Sequence, residues 1–247
     1  GLSAEELARF AAGNFFVAAH LLDAIRNASN VNELNLEAGV PLTLDEAFEL
    51  DVRLRFRDPT TLSTAKAAFE IVMAAEEAGE RISKADLDLL LSFKFPGLDV
   101  KNRSQLPDMS TFLVQNVYKD RRLLRGEKVE ITVFHQSLSD WLRSTRTEFR
   151  VNPVNGHVLL AVVGLLRVRP ECQRGDLLME ILREAGLDSP NIIPIVRSLP
   201  TATSEESRRL RACVHQHAAF CGAKFADRLE GWLRADDARS APPTTSS

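Results

Sequence analysis

The chain has 247 residues, 45% hydrophobic and 26% charged, a balance that fits one large domain or two small ones burying roughly 70–75% of their unfolded surface. Thirty-one Lys and Arg against 34 Asp and Glu give a formal net charge of -3, which removes the basic excess of a protein held on phosphate backbones, so nucleic acid is not favoured as a partner. Three cysteines are too few for a disulfide framework and favour a reducing, cytoplasmic compartment, and no apolar run approaches the roughly 18 residues of a membrane span.

Ser3-Ala-Glu-Glu6 reads as a capping box that opens a helix. Leu7, Phe10 and Ala11, then Phe15, Ala18, Ala19, Leu22 and Ile25, recur at three- and four-residue steps, and Gly13-Asn14 between them predicts two short helices. A second capping box, Thr43-Leu-Asp-Glu46, opens a helix carrying Leu44, Ala47, Phe48, Val52 and Phe56, closed by Asp58-Pro59. A helix from Ser63 to Ala78 follows, and Gly79 suits a left-handed terminus. Residues 1–79 are thus expected to form a helical bundle.

From Arg81 the rhythm changes. Ser83 caps a helix over Ala85 to Phe93, a second helix is expected near Met109 to Tyr118, and Leu123-Leu124 and Val129 to Phe134 are expected to pair as a hairpin across Arg125-Gly126-Glu127. Helix, helix, hairpin predicts a winged helix over residues 80–150, ending in an amphipathic helix with Leu138, Trp141 and Leu142 on one side. A helical arm is expected over 151–234: Gly156 to Val168, Asp176 to Ala185, Asn191 to Arg197, and one long helix starting at Ser204-Glu-Glu206 and continuing through Trp232. Residues 235–247, poor in apolar content, read as a disordered tail. The predicted fold class is mainly α. Because the chain starts at Gly1 rather than Met and ends in Ala-Pro-Pro-Thr-Thr-Ser-Ser, it is expected to be a piece of a longer protein.

No phosphate loop, G-x-G-x-x-G, G-x-S-x-G or H-E-x-x-H motif is present, so no catalytic centre is expected within these residues. The adjacent acidic pairs Glu76-Glu77, Glu205-Glu206 and Asp236-Asp237 point apart on a helix and read as solvated surface. Cys213, His217 and Cys221 step by four along one helical face, a spacing zinc ligands can use, but they also belong to the apolar stripe of the last helix, and no metal is expected. His20 and His215 read as ordinary helix residues, and His157 as a residue near a helix N-terminus. A DNA-reading helix over Pro107 to Tyr118 would offer Ser110, Thr111, Gln115 and Asn116, with Lys119, Arg121, Arg122 and Arg125 after it.

One stretch carries a resemblance. Val133-Phe-His-Gln-Ser-Leu-Ser-Asp-Trp-Leu142 resembles the end of the winged helix in STAND-class signalling NTPases, the NACHT and apoptotic-ATPase relatives, whose motif is hydrophobic-His-x-x-Leu-x-x-apolar. Ala12-Gly13-Asn-Phe-Phe-Val-Ala18 and Val40-Pro-Leu-Thr-Leu-Asp-Glu-Ala-Phe48 resemble elements of the helical lid of NACHT proteins, and Asn155-Gly-His-Val-Leu-Leu-Ala161 resembles the helix after the winged helix in ankyrin-repeat NACHT proteins. The motifs follow in family order and cover about residues 1–168.

The resemblance implies a non-catalytic regulatory portion: a helical lid (1–79), a winged helix (80–150) and a helical arm (151–234) that couple ADP or ATP, held by an upstream P-loop domain, to a closed or open conformation. It implies protein partners and a downstream repeat domain, no membrane partner, and a nucleotide-sensing role for His135, whose imidazole N–H suits an anionic phosphate oxygen. Gly13 and Phe15 fall in the lid segment that faces nucleotide, although Phe15 stands where the apoptotic-ATPase pattern has Pro. The residues leave other roles open: His135 as a buried side chain bonded to a backbone carbonyl, Phe15 as plain core, and the whole chain as a helical interaction scaffold or a winged-helix DNA-binding regulator.

Overall fold

The computed structural model describes residues 3–36, 40–97, 112–119, 127–133, 135–144, 147–187, 189 and 191–234. In chain order its elements are α1 (Ala4–Ala11), α2 (Phe15–Asn27), α3 (Leu44–Arg55), α4 (Pro59–Glu77), β1 (Ile82–Ser83), α5 (Lys84–Lys94), β2 (Leu113–Lys119), β3 (Glu127–Val133), α6 (Gln136–Arg143), α7 (Pro153–Val168), α8 (Gly175–Glu184), α9 (Ile192–Arg197), α10 (Ser204–Ala218) and α11 (Ala223–Arg234). The protein is mainly α, as its helical periodicity predicts. It forms two compact units, residues 1–69 with 101–151 and residues 70–100 with 152–247, an interleaved division where the sequence suggests three serial segments.

In the first unit, Ser3 and Glu6 make the expected capping box of α1, and Thr43 and Glu46 that of α3. The turn between α1 and α2 uses left-handed backbone at Ala12 (φ 47) and Gly13 (φ 78), and Asn14 then caps α2 by accepting the N–H groups of Phe16 and Val17. Phe10, Leu21, Ala24, Leu34, Leu50 and Leu54 pack into a shared aliphatic core. Phe112 is fully buried, with its ring 5.9 Å from Phe69 and 6.0 Å from Phe56.

Charge also sits in this core. Asp51 is wholly buried; its carboxylate accepts His20 Nδ1–H at 2.8 Å and Arg55 Nε–H at 3.1 Å. Arg55 reaches Asp23 on α2 at 3.0 Å, and its guanidinium lies 5.0 Å from the Phe112 ring centroid. His20, Asp23, Asp51 and Arg55 therefore fasten α2 to α3, each charge having a partner, as burial requires.

In the second unit, α7 is buried along most of its length and tolerates two close approaches because glycine stands at each. A Cβ on Gly156 would lie 2.1 Å from the Glu70 carbonyl oxygen of α4, and one on Gly164 would lie 2.7 Å from a Val214 methyl of α10. Glu70 Oε1 accepts Asn155 Nδ2–H at 2.7 Å and the Asn152 backbone N–H at 3.3 Å, which pins the start of α7 to the same helix.

Three local readings are corrected. The expected helix over Met109 to Tyr118 is a strand from Leu113 onward: β2 pairs antiparallel with β3, Leu113 opposite Val133 and Lys119 opposite Glu127. Leu113, Val114, Val117 and Tyr118 satisfy a strand as readily as a helix, and the β-branched run of β3 supplies the partner that decides it. The hairpin is thus longer than expected and its first strand lies earlier in the chain, so the residues described from Phe112 to Lys119 do not form the second helix of a winged helix; Leu123-Leu124 and Met109 lie outside the described residues, as does the tail 235–247. The single long C-terminal helix begins at Ser204 as expected, capped by Thr203 with Glu206, but it is two helices, α10 and α11, broken at Phe220-Cys221-Gly222 where Gly222 takes φ 80.

Gly156→Ala should destabilise by about 1–3 kcal/mol through overpacking, whereas Gly231→Ala, with open space around it in α11, should stabilise by about 0.5–1 kcal/mol, as urea midpoints of the two variants would report. Asp51→Ala should cost roughly 3–5 kcal/mol, because it strands Arg55 and His20 in the core with one acceptor fewer.

Candidate functional site

His135 stands between β3 and α6 as the N-cap of that helix. Its Nδ1 accepts the backbone N–H of Ser137 at 3.1 Å, and the Ser137 hydroxyl lies 3.0 Å from the same nitrogen. An accepting Nδ1 assigns the neutral ring proton to Nε2, so the free edge of the imidazole is a donor. The side chain is exposed and does not take the buried, carbonyl-bonded role open to it from sequence. Leu138, Trp141 and Leu142, immediately after it, are all buried, so α6 is anchored by one face and presents His135 at its end.

The aromatic ring against His135 is Phe16, 4.7 Å away by ring centroids. Phe15 touches Phe16 edge-on at 6.2 Å and is 76% exposed, which overturns the plain-core reading of Phe15. The reason is local: Asn14 caps α2, so Phe15 is the first helical residue, and the apolar stripe turns its neighbour Phe16 inward instead. Gly13 makes the preceding left-handed turn, with nothing within 4 Å of the position a Cβ would take. Gly13 and Phe15 thus belong to the chain segment that brings Phe16 to His135; Phe16 is the member that the sequence pattern did not single out, although its place in the same Gly-Asn-Phe-Phe run was legible.

The second unit holds a cluster that no sequence motif marks. His157 and His217 are both buried, with their Nδ1 atoms 2.9 Å apart, and His157 Nε2 lies 3.0 Å from a Glu77 carboxylate oxygen. Since Glu77 accepts from Nε2–H, neutral His157 must accept at Nδ1, and His217 donates Nδ1–H to it. His217 Nε2 then faces Glu80 Oε2 at 3.5 Å, close enough for an ion pair but without hydrogen-bond geometry. The Phe220 ring stacks on His157, centroids 4.1 Å apart and planes within 5°.

Burial holds His157 below the usual imidazole value, opposed by the bond to Glu77 and reinforced by His217. Contact with His217 lowers the Glu80 carboxyl, against the effect of its burial. His157 and Glu77, read from sequence as a helix-end residue and a solvated acid, are partners because α4 and α7 place them so; separations of eighty residues leave no local signal.

The cysteine and histidine triplet does not share a helical face, since α10 ends at Ala218 and Cys221 lies in the following turn, its Sγ–H donating to the His217 carbonyl at 3.2 Å. Burial, then Glu80, pushes the Cys213 thiol up to about 12, and burial pushes Cys221 up to about 11, so neither is a thiolate near neutral pH. Among the described residues no group of three or more His, Cys, Asp or Glu is arranged to hold a metal ion, and no helix is long and apolar enough to cross a membrane. The stretch assigned to a DNA-reading helix is a strand from Leu113 onward, and Arg121, Arg122 and Arg125 lie outside the described residues. Compared with known proteins, the chain matches no family model, no curated protein and no solved structure.

The buried imidazole predicts a pH dependence. A histidine whose folded value lies below its unfolded 6.5 contributes stability that is fully present above 6.5 and is lost as pH falls from there toward the folded value, because the unfolded chain takes up the proton first. The loss of stability between about pH 7.5 and pH 5.5 should therefore be smaller in His157→Gln than in the parent chain, measured as the change in urea midpoint.

Proposed function

We propose that this chain is the non-catalytic regulatory portion of a STAND-class, NACHT-type signal-transduction ATPase, acting in the cytoplasm on an ADP- or ATP-loaded P-loop domain upstream in the same protein. The observation that carries the reading is the presentation of His135. Its Nδ1 is spent on capping α6, its Nε2–H is left as an exposed donor at a helix start, and the Gly13 to Phe16 turn lies against it through Phe16. A directional N–H donor beside an exposed aromatic, Phe15, suits a nucleotide that offers anionic oxygens and a flat base.

In this reading the P-loop domain holds the nucleotide and performs any hydrolysis. His135 donates to a phosphate oxygen only while its unit is closed against that domain, so the bond biases the closed, ADP-bound state by its differential presence. The three free cysteines fit a reducing compartment.

The cap itself permits a clean test in full-length protein. His135→Asn keeps a capping oxygen at the helix start and removes the Nε2–H, whereas His135→Ala removes both. Bound ADP should leave about tenfold faster from both variants than from the parent protein. ADP retention by His135→Asn equal to the parent's would reduce His135 to a cap, and a full-length protein without a P-loop domain would remove the assignment altogether.

A further inference from the structure

Among the described residues, three buried side-chain nitrogen or oxygen atoms have no hydrogen-bond partner: Glu80 Oε1, Arg167 Nε and His217 Nε2. All three belong to residues lining one cavity of about 140 Å³ inside the second unit. Orphaned buried polar groups are uncommon, and their convergence on one space marks a place where something absent from the protein completes them. His217 is 1% exposed, so bulk solvent does not satisfy its Nε2.

The donor and acceptor inventory defines the occupant. Glu80 is a carboxylate acceptor whose Oε1 is unpaired, so this end of the cavity asks for an N–H donor. Arg167 Nε–H asks for an acceptor. Arg81 and Asp86 also line the space, so its walls carry two cationic and two carboxylate side chains and favour neither a simple anion nor a simple cation. Leu160 and Leu210 contribute aliphatic wall between the polar groups. A cavity of similar volume holds benzene, so six or seven heavy atoms is about the size that fits.

We infer that this cavity binds a small zwitterion, its ammonium group received by Glu80, its carboxylate by Arg167, and its short aliphatic part by Leu160 and Leu210. The site is independent of His135: it lies in the other unit and needs no nucleotide. Cys213, which also lines it, serves as neutral wall.

The test is a calorimetric titration of the full chain with L-alanine and with 4-aminobutyrate, using butylamine and butyrate as one-ended controls. One of the zwitterions should bind saturably and about tenfold or more tighter than either control, and Glu80→Gln and Arg167→Gln should each weaken it about tenfold. Because a buried substitution can unfold the protein, the melting temperature of each variant is read alongside, and the one-ended controls on the parent chain decide the matter even if a variant is lost. Absence of saturable binding by either zwitterion up to about 10 mM, which leaves the cavity to water alone, overturns the assignment. So does equal binding of a one-ended control, or undiminished binding by a folded variant.

Discussion

A guanidinium in the core organises the first unit. Arg55 lies between the carboxylates of Asp23 and Asp51 and against the face of Phe112, and Asp51 also accepts a hydrogen bond from His20. Such a cluster is a poor source of net stability, since removing charges from water costs several kcal/mol per ion before any attraction is counted. Its effect is on register. A slip of α2 against α3 by one residue would separate His20 and Asp23 from Asp51 and Arg55, and leave buried charges alone. With that register set, the first turn of α2 is set too, and with it the exposure of Phe15 and the contact of Phe16 with His135. Phe112, stacked on His20 at 5.3 Å, lies directly before β2 and so connects the same cluster to the hairpin and, through β3, to His135.

The second unit solves burial differently. Its central helix α7 approaches α4 and α10 closely at Gly156 and Gly164, where helix propensity is sacrificed for backbone proximity. The polar groups trapped there are mostly neutral or half-neutral: an imidazole pair that shares one proton between two Nδ1 atoms, and the Gln216 amide donating to the Ala78 carbonyl. Glu77, less buried than the ring it faces, holds one end of this chain of hydrogen bonds, and Glu80 lies 3.5 Å from His217 at the other end. The arrangement leaves unpaired atoms, whereas the ion cluster of the first unit does not, and that difference is what makes the cavity near Glu80, Arg167 and His217 a binding surface in prospect and the Arg55 cluster a structural one.

The two units use histidine in opposite ways. His135 is exposed and held by a single backbone N–H, so its outer nitrogen is available to a partner that arrives and leaves. His157 and His217 are sequestered, and burial lowers His157 below the usual imidazole value, which links its protonation to folding. The cysteines take part in neither as nucleophiles: with thiols raised to about 12 and about 11, Cys213 and Cys221 are small apolar side chains in chemical terms.

Local chemistry was readable along the chain wherever one turn of backbone carries its own signal. The capping boxes at Ser3 and Thr43, the cap at Ser83, the left-handed Gly79 and the apolar face of α6 depend on residues three or four apart, and they appear in the structure as read, whereas α2 buries Val17, Leu21 and Ala24 in place of the expected Phe15 and Leu22. His135 and the Gly13 to Phe16 turn could be named as a candidate site because short motifs mark them. What the linear pattern left undecided were matters settled by a partner far away in the chain. Leu113 to Lys119 became a strand because β3 was there to pair with it, and His157 found Glu77 and His217 across separations of eighty and sixty residues. Helix caps and amphipathic stripes are short-range energies, but the pairing of strands and the desolvation of ionisable groups depend on which surfaces meet, and that choice is made by packing.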